Sequence, residues 1–236
     1  MKRIFAVQCL VVVILTVALP ASAGIQLAGT RVIYPAAKRE VTLALTNNAT
    51  TPRLIQAWMD NGDPDRQPAA AVPFIVTPPV FRLDPGKGQT LRILFTGGAV
   101  PADRESVFWL NVLEIPPRTA EKESQIQFPT RTRIKVFYRP KGLTGSVKEA
   151  DETLRWRLVN DAGQSRLECE NPSAFNVSFA RLSLNGVKEE DNDVRGMCPA
   201  KGRSAFALPG VAQGKIYFTT INDYGGQVRH EAVYSR

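Results

Sequence analysis

Apolar and polar residues alternate along most of this chain with a period of two, as at positions 41–45 (VTLAL) and 91–95 (LRILF). That rhythm sends successive side chains to opposite faces and predicts short, half-buried β-strands. The clusters Asn47-Asn48, Asn61-Gly62-Asp63-Pro64, Asp84-Pro85-Gly86 and Gly97-Gly98 break the runs. Each supplies the residues that tight turns require. After Pro140 the texture resumes at 152–159 (ETLRWRLV), 175–179 (FNVSF) and 215–221 (KIYFTTI). No window sustains a 3.6-residue apolar period with a cap at each end, so helices are expected to be short or absent. The expectation is an all-β chain of two sandwiches, residues 24–140 and 141–236, with Arg139-Pro140-Lys141-Gly142 as the hinge.

One stretch departs from the ordinary sandwich pattern. Positions 125–138 (QIQFPTRTRIKVFY) form one of the longest strand-like runs and place Ile126, Phe128 and Thr130 on one face. Pro129 has no N–H to give to a ladder, so this end fits an edge strand. Long exposed edges invite aggregation, and Pro129, Arg131 and Arg133 are residues that blunt them. The same edge can instead accept a strand from a chosen partner.

Composition then narrows the setting. Lys2 and Arg3, an apolar run from Cys9 to Leu19 and Ala21-Ser22-Ala23 form the layout of a cleavable export signal, residues 1–23. No second long apolar run follows, so no stable membrane insertion is expected. Without Lys2 and Arg3 the formal charge falls from +8 to +6. The cations are spread among strands and not clustered with stacking aromatics, which argues against nucleic acid. Cys9 leaves with the signal, and Cys169 and Cys198 remain as an even pair, read as a disulfide in an oxidising compartment. Closing that loop of about 30 residues would stabilise the fold by roughly 3 kcal/mol in the chain-entropy picture.

Candidate chemistry is sparse. The chain has a single histidine, His230, with no nucleophile motif around it, and no Cys/His metal spacing or cofactor motif. No enzyme and no cofactor are expected. Trp58, Trp109 and Trp156 are assigned to packing. For Thr77-Pro78-Pro79 the general preference is trans, and a cis bond stays open.

Several separated motifs then stand in a consistent order: 29–34 (GTRVIY), 56–58 (QAW), 77–80 (TPPV) with 82–86 (RLDPG), 103–106 (DRES), 114–118 (EIPPR), 133–140 (RIKVFYRP) and 221–226 (INDYGG). Together they resemble the periplasmic PapD-like pilus chaperones over nearly the whole exported chain. The short connection at 117–124 is similar to the family's short-loop branch.

The resemblance implies two immunoglobulin-like sandwiches set at an angle, with a cleft between them. It implies that Arg31 and Lys135 anchor the C-terminal carboxylate of a pilus (fimbrial) subunit. It implies that Ile126, Phe128 and Thr130 are donated into the subunit's incomplete core, Thr130 being less apolar than the family usually places there. Glu105, Arg139 and Asp223 match a charge cluster bridging the domains. Delivery to an outer-membrane usher follows from the same resemblance, and self-association of the free chaperone through the edge stays open. The competing expectation is a structural pilus subunit or two-domain adhesin. It is disfavoured because the first strand motif begins within a few residues of the signal, where a subunit would carry a pairing extension.

Overall fold

The computed structural model describes residues 24–62, 72–117, 128–161, 164–184, 194–207 and 215–235. They form sixteen strands and one short helix. In the first half, a four-stranded sheet has the order β1 (Ile25–Leu27), β3 (Glu40–Asn47), β7 (Gly88–Phe95), β5 (Phe74–Thr77). It packs on a five-stranded sheet ordered β2 (Arg31–Pro35), β9 (Thr130–Arg139), β8 (Ser106–Ile115), β4 (Arg53–Asp60), β6 (Val80–Leu83).

The second half pairs a three-stranded sheet, β10 (Arg155–Asp161), β11 (Gln164–Asn171), β14 (Gly202–Ala207), with a four-stranded one. The latter is ordered β13 (Gly196–Cys198), β12 (Val177–Leu184), β15 (Lys215–Ile221), β16 (Gln227–Val233). Among the described residues no ladder joins a strand before Pro140 to one after it.

Period-two alternation explains the two cores. In β3, Leu43 and Leu45 point inward while Thr42, Ala44 and Thr46 face solvent. Leu43, Leu91 and Ile93 meet Ile55, Leu110 and Val136 from the opposing sheet. Phe74 fills the end of this core with ring contacts to Tyr34, Phe108, Phe95 and Tyr138. Tyr34 keeps its hydroxyl satisfied, donating to Arg39 O (2.8 Å) and accepting from Phe95 N (3.0 Å). In the second half Trp156, Leu167 and Phe206 pack against Phe179, Leu182 and Phe218. Burying each such large apolar side chain stabilises the fold by about 1.5–3 kcal/mol before entropy is counted.

The structure corrects the sequence reading at several points. Strand β9 begins at Thr130 and extends to Arg139, so Phe128 and Pro129 precede it and the positions 125–127 lie outside the described residues. The single helix, α1 (Val147–Glu152), occupies the start of what reads as a strand from Glu152. Ser146 caps it, its side chain accepting from Glu149 N at 3.2 Å. The Thr77–Pro78 bond is cis, against the trans preference. Cys169 and Cys198 are buried neighbours but both are thiols, so the expected disulfide is not formed; Cys198 Sγ donates to Cys169 O at 3.2 Å. The export signal and the short connection expected at 117–124 fall largely or wholly outside the described residues.

Candidate functional site

The site is built on β9. On one side β9 pairs with β8 along its whole length, Thr130 opposite Glu114 through Tyr138 opposite Ser106. On the other side β2 pairs with it in parallel, from Arg31 opposite Lys135 to Pro35 opposite Arg139. Because β2 starts at Arg31, it stops short of the first half of β9. Ala36 N donates to Arg139 O at 2.8 Å, so the Arg139 carbonyl points to the β2 side. Strand alternation turns the backbone groups of Phe137, Lys135, Arg133 and Arg131 the same way. Those of Arg133 and Arg131 meet no strand among the described residues. Strand β9 is therefore interior at one end and an open edge at the other.

The same register sorts the side chains. Ile134, Val136 and Tyr138 enter the core, and Arg131, Arg133, Lys135 and Arg139 lie on the outer face. Across the sheet, Arg31, Lys135, Trp109 and Asp60 stand in one row. Arg31 and Lys135, far apart in sequence, are thus cross-strand neighbours.

Both cations reach the second half of the chain, and both find neutral partners there. Arg31 Nη1 donates to Ile221 O (2.7 Å) and Lys135 Nζ to Ser178 Oγ (3.0 Å). The buried Arg31 Nε has no hydrogen-bond partner among the described residues. Aromatic faces flank the pair, Phe137 beside Arg31 (5.7 Å) and Trp109 beside Lys135 (5.6 Å). Burial, with the neighbouring Arg31 charge adding to it, pulls Lys135 down to about 8. Burial lowers Arg31 as well, against the opposing pull of Asp223. Two half-buried cations that make no ion pair among the described residues are an arrangement that an incoming anion would relieve.

Glu105, Arg139 and Asp223 are also brought together. Arg139 Nε donates to Glu105 Oε1 (2.6 Å), and its two terminal nitrogens hold Asp223 in a fork at 2.8 and 2.9 Å. The Glu105 side chain is only 1% exposed, and its second oxygen accepts from Asn176 N at 2.9 Å. Arg139 lies over the Phe175 ring at 5.3 Å. The cluster ties β9 and the segment before β8 to the β11–β12 and β15–β16 connections.

Of the three candidate donor residues, Phe128 is 76% exposed and Thr130 is exposed at the start of the open edge. Ile126 lies outside the described residues.

Sequence reasoning missed three participants. Trp109, assigned to packing, stands on the outer face as the platform for Lys135 and for Arg133, whose guanidinium lies 4.3 Å from the ring centre. Its odd position beside inward Phe108 and Leu110 was the available signal. Ser178 and the Ile221 carbonyl carried none, since only tertiary contact gives them a part. Trp156, by contrast, is core.

His230 does meet an acid and a hydroxyl, but not as a relay. Its Nε2 is 3.0 Å from Thr220 Oγ1 and 3.5 Å from Asp151 Oδ2, while Thr220 also donates to Asp151 (2.7 Å). A proton relay needs the two ring nitrogens to serve different partners. Here one nitrogen faces both, and Thr220 is fully buried. The group ties α1 to β15 and β16.

Comparison with known proteins agrees with this geometry. Family models match residues 24–144 (pili and flagellar-assembly chaperone, PapD N-terminal domain) and 149–232 (pili assembly chaperone PapD, C-terminal domain). The probable fimbrial chaperone YadV of Escherichia coli K12 is 41% identical over 220 residues, 89% of each chain. The chaperone protein LpfB of Salmonella typhimurium is 39% identical over 232 residues, 95% of each. Among solved structures, one of the Salmonella enterica SafA pilin in complex with the SafB chaperone aligns with a TM-score of 0.74 at 28% identity. It covers 89% of this chain and 96% of the other. The alternative of a structural subunit or adhesin is set aside by these matches, and the chain belongs to the PapD-like family of pilus-assembly chaperones, a family without enzymatic activity.

Proposed function

We propose that this chain is an exported chaperone that captures a pilus subunit by its C-terminal carboxylate and completes the subunit's fold with its own strand. The observation that carries the reading is the Arg31–Lys135 pair, two cations whose hydrogen-bond partners among the described residues are neutral, seated where the open edge of β9 ends. Arg31 offers a planar fork and Lys135 a point charge, together a fit for one carboxylate. With its terminus held there, a subunit strand running beside Arg133 and Arg131 gains main-chain hydrogen bonds. Phe128 and Thr130, with Ile126 beyond them, then enter the subunit's groove in place of its missing strand, the strand-addition mode for which this family is a known example.

Pro129 shares the parity of Arg131 and Arg133, so its missing donor is lost on the subunit side, leaving a gap in the new ladder and not in the chaperone's own sheet. Residues 1–23 direct export to the periplasm, the domains divide at Arg139–Gly142, and the Glu105–Arg139–Asp223 cluster holds the angle between them. Handover to an outer-membrane usher completes the cycle. Self-association of the free chaperone through the same edge would mask Phe128 when no subunit is present.

Two outcomes test the reading. Phe128→Asp weakens recovery of a co-expressed pilus subunit at least tenfold while the thermal midpoint of the free chaperone stays within a degree or two. An exposed side chain contributes little to its own fold, whereas a buried hot spot contributes several kcal/mol to a complex. Unfolding of the variant would instead make Phe128 a core residue. For the cysteine pair, thiol labelling of denatured, periplasm-purified protein yields two free thiols per chain before reduction, as the structure has them. None before reduction and two after it would show that a disulfide forms on export.

A further inference from the structure

We infer that Arg131 selects subunits whose final strand carries an acidic side chain two residues before the C-terminal residue, an inference that rests on the strand-addition reading. The outer face of β9 bears Arg131, Arg133 and Lys135 at two-residue intervals, a spacing of about 6.6 Å per step. The three cations differ in what balances them. Lys135 belongs to the carboxylate anchor. Arg133 is neutralised within the chain: it donates to Asp60 Oδ1 at 2.5 Å, and that carboxylate also accepts from Asn111 (2.6 Å) and from Gly62 N (2.7 Å).

Among the described residues Arg131 has no such partner. It is exposed, and the row it shares across the sheet consists of Leu113, Gln56 and Val80, without a carboxylate. Among the described residues it makes no ion pair. It is also one of the two residues whose backbone faces the open edge, so an added strand must pass beside it.

The register follows from the anchor. A strand that places its terminal carboxylate at Arg31 and Lys135 and extends toward Thr130 runs parallel to β9, as β2 does. Paired residues on neighbouring strands share a face. The seat opposite Lys135 on this edge is filled by Arg31 of β2, so the terminal residue stands opposite Arg133 with its carboxylate reaching the two cations, and the residue two before it stands opposite Arg131. A side chain at the first place meets a cation already paired with Asp60. At the second, an acid meets a cation with no ion pair among the described residues, and a lysine there is repelled. The occupant is therefore a C-terminal strand, apolar on the face toward its own core and acidic at that one outer position.

The test uses synthetic peptides of alternating apolar and polar residues with a free C-terminal carboxylate. Glutamate is scanned from two to six residues before the terminus, lysine replaces it at two, and one peptide is C-terminally amidated. Each is titrated against the full chain by fluorescence anisotropy at low ionic strength. Glutamate at two binds about fivefold tighter than glutamine there, the upper range for a solvent-exposed ion pair. The advantage fades at high salt, and Arg131→Glu reverses it in favour of lysine. No preference at position two, or a preference that survives Arg131→Glu, overturns the inference while leaving the anchor intact. Equal binding of amidated and free-acid peptides overturns the anchor, and with it both readings.

Discussion

Lys135→Ala and Arg31→Ala each reduce subunit capture by about a hundredfold or more, without loss of the free chaperone's stability in the lysine variant. Truncating one member of a desolvated charge pair typically weakens a complex by 2–5 kcal/mol. The free protein gains nothing comparable from Lys135, whose charge is buried against Arg31 and answered only by Ser178. pH separates the two effects. Between about 8, the value Lys135 holds in the folded free chain, and its ordinary value of 10.5, the unfolded state binds more protons than the folded one. Lys135 thus makes the free chaperone more stable as pH rises through that window. A bound carboxylate raises Lys135 again, so capture is accompanied by proton uptake and weakens over the same rise. Subunit titrations and urea unfolding measured from pH 7 to 10 should therefore move in opposite directions. Affinity independent of pH above 8, or full capture by Lys135→Ala, would remove the anchor.

Arg139→Ala is the substitution expected to damage the free chaperone most. It strands the almost fully buried Glu105 carboxylate and leaves Asp223 without its fork. Removing one partner of a buried pair costs about 3–5 kcal/mol, more than the pair itself contributes, because the remaining charge stays desolvated. Urea denaturation should register that loss. The double change Arg139→Met with Glu105→Gln should recover much of it, since the carboxylate left without its cation, Asp223, is partly exposed. Asp223→Asn should cost less than Arg139→Ala, because Asp223 is partly exposed and Glu105 keeps its cation. A loss under 1 kcal/mol in Arg139→Ala would class the cluster with ordinary surface pairs.

The all-β architecture was legible because each strand needs only local alternation to declare its buried face. Val41–Leu45 and Leu91–Phe95 alternate in sequence, and Leu43, Leu91 and Ile93 are core. Strand β15 runs from Lys215 to Ile221 as the pattern reads. The helix at Val147–Glu152 was not legible, since six residues are too few to show a period and its docking through Asp151 to Thr220 is a long-range contact. Arg31, Lys135, Glu105, Arg139 and Asp223 could be singled out by resemblance. As isolated charges on alternating strands, they look like solvated outer-face residues.

Local side-chain order is thus what the amino-acid sequence determined by itself: which positions face in, where turns fall, and that Pro129 marks an edge. Register and strand partnership were decided only by the tertiary structure. Because β2 begins at Arg31, it covers Lys135 through Arg139 and leaves Arg133 and Arg131 open, so that one strand is both wall and docking rim. Because Ile221 and Ser178 approach from the other half of the chain, the two cations are desolvated yet make no ion pair among the described residues. The physical reason is range. Alternation is a property of neighbouring residues, whereas an unpaired backbone edge and an uncompensated buried charge are defined by what distant segments do or fail to supply.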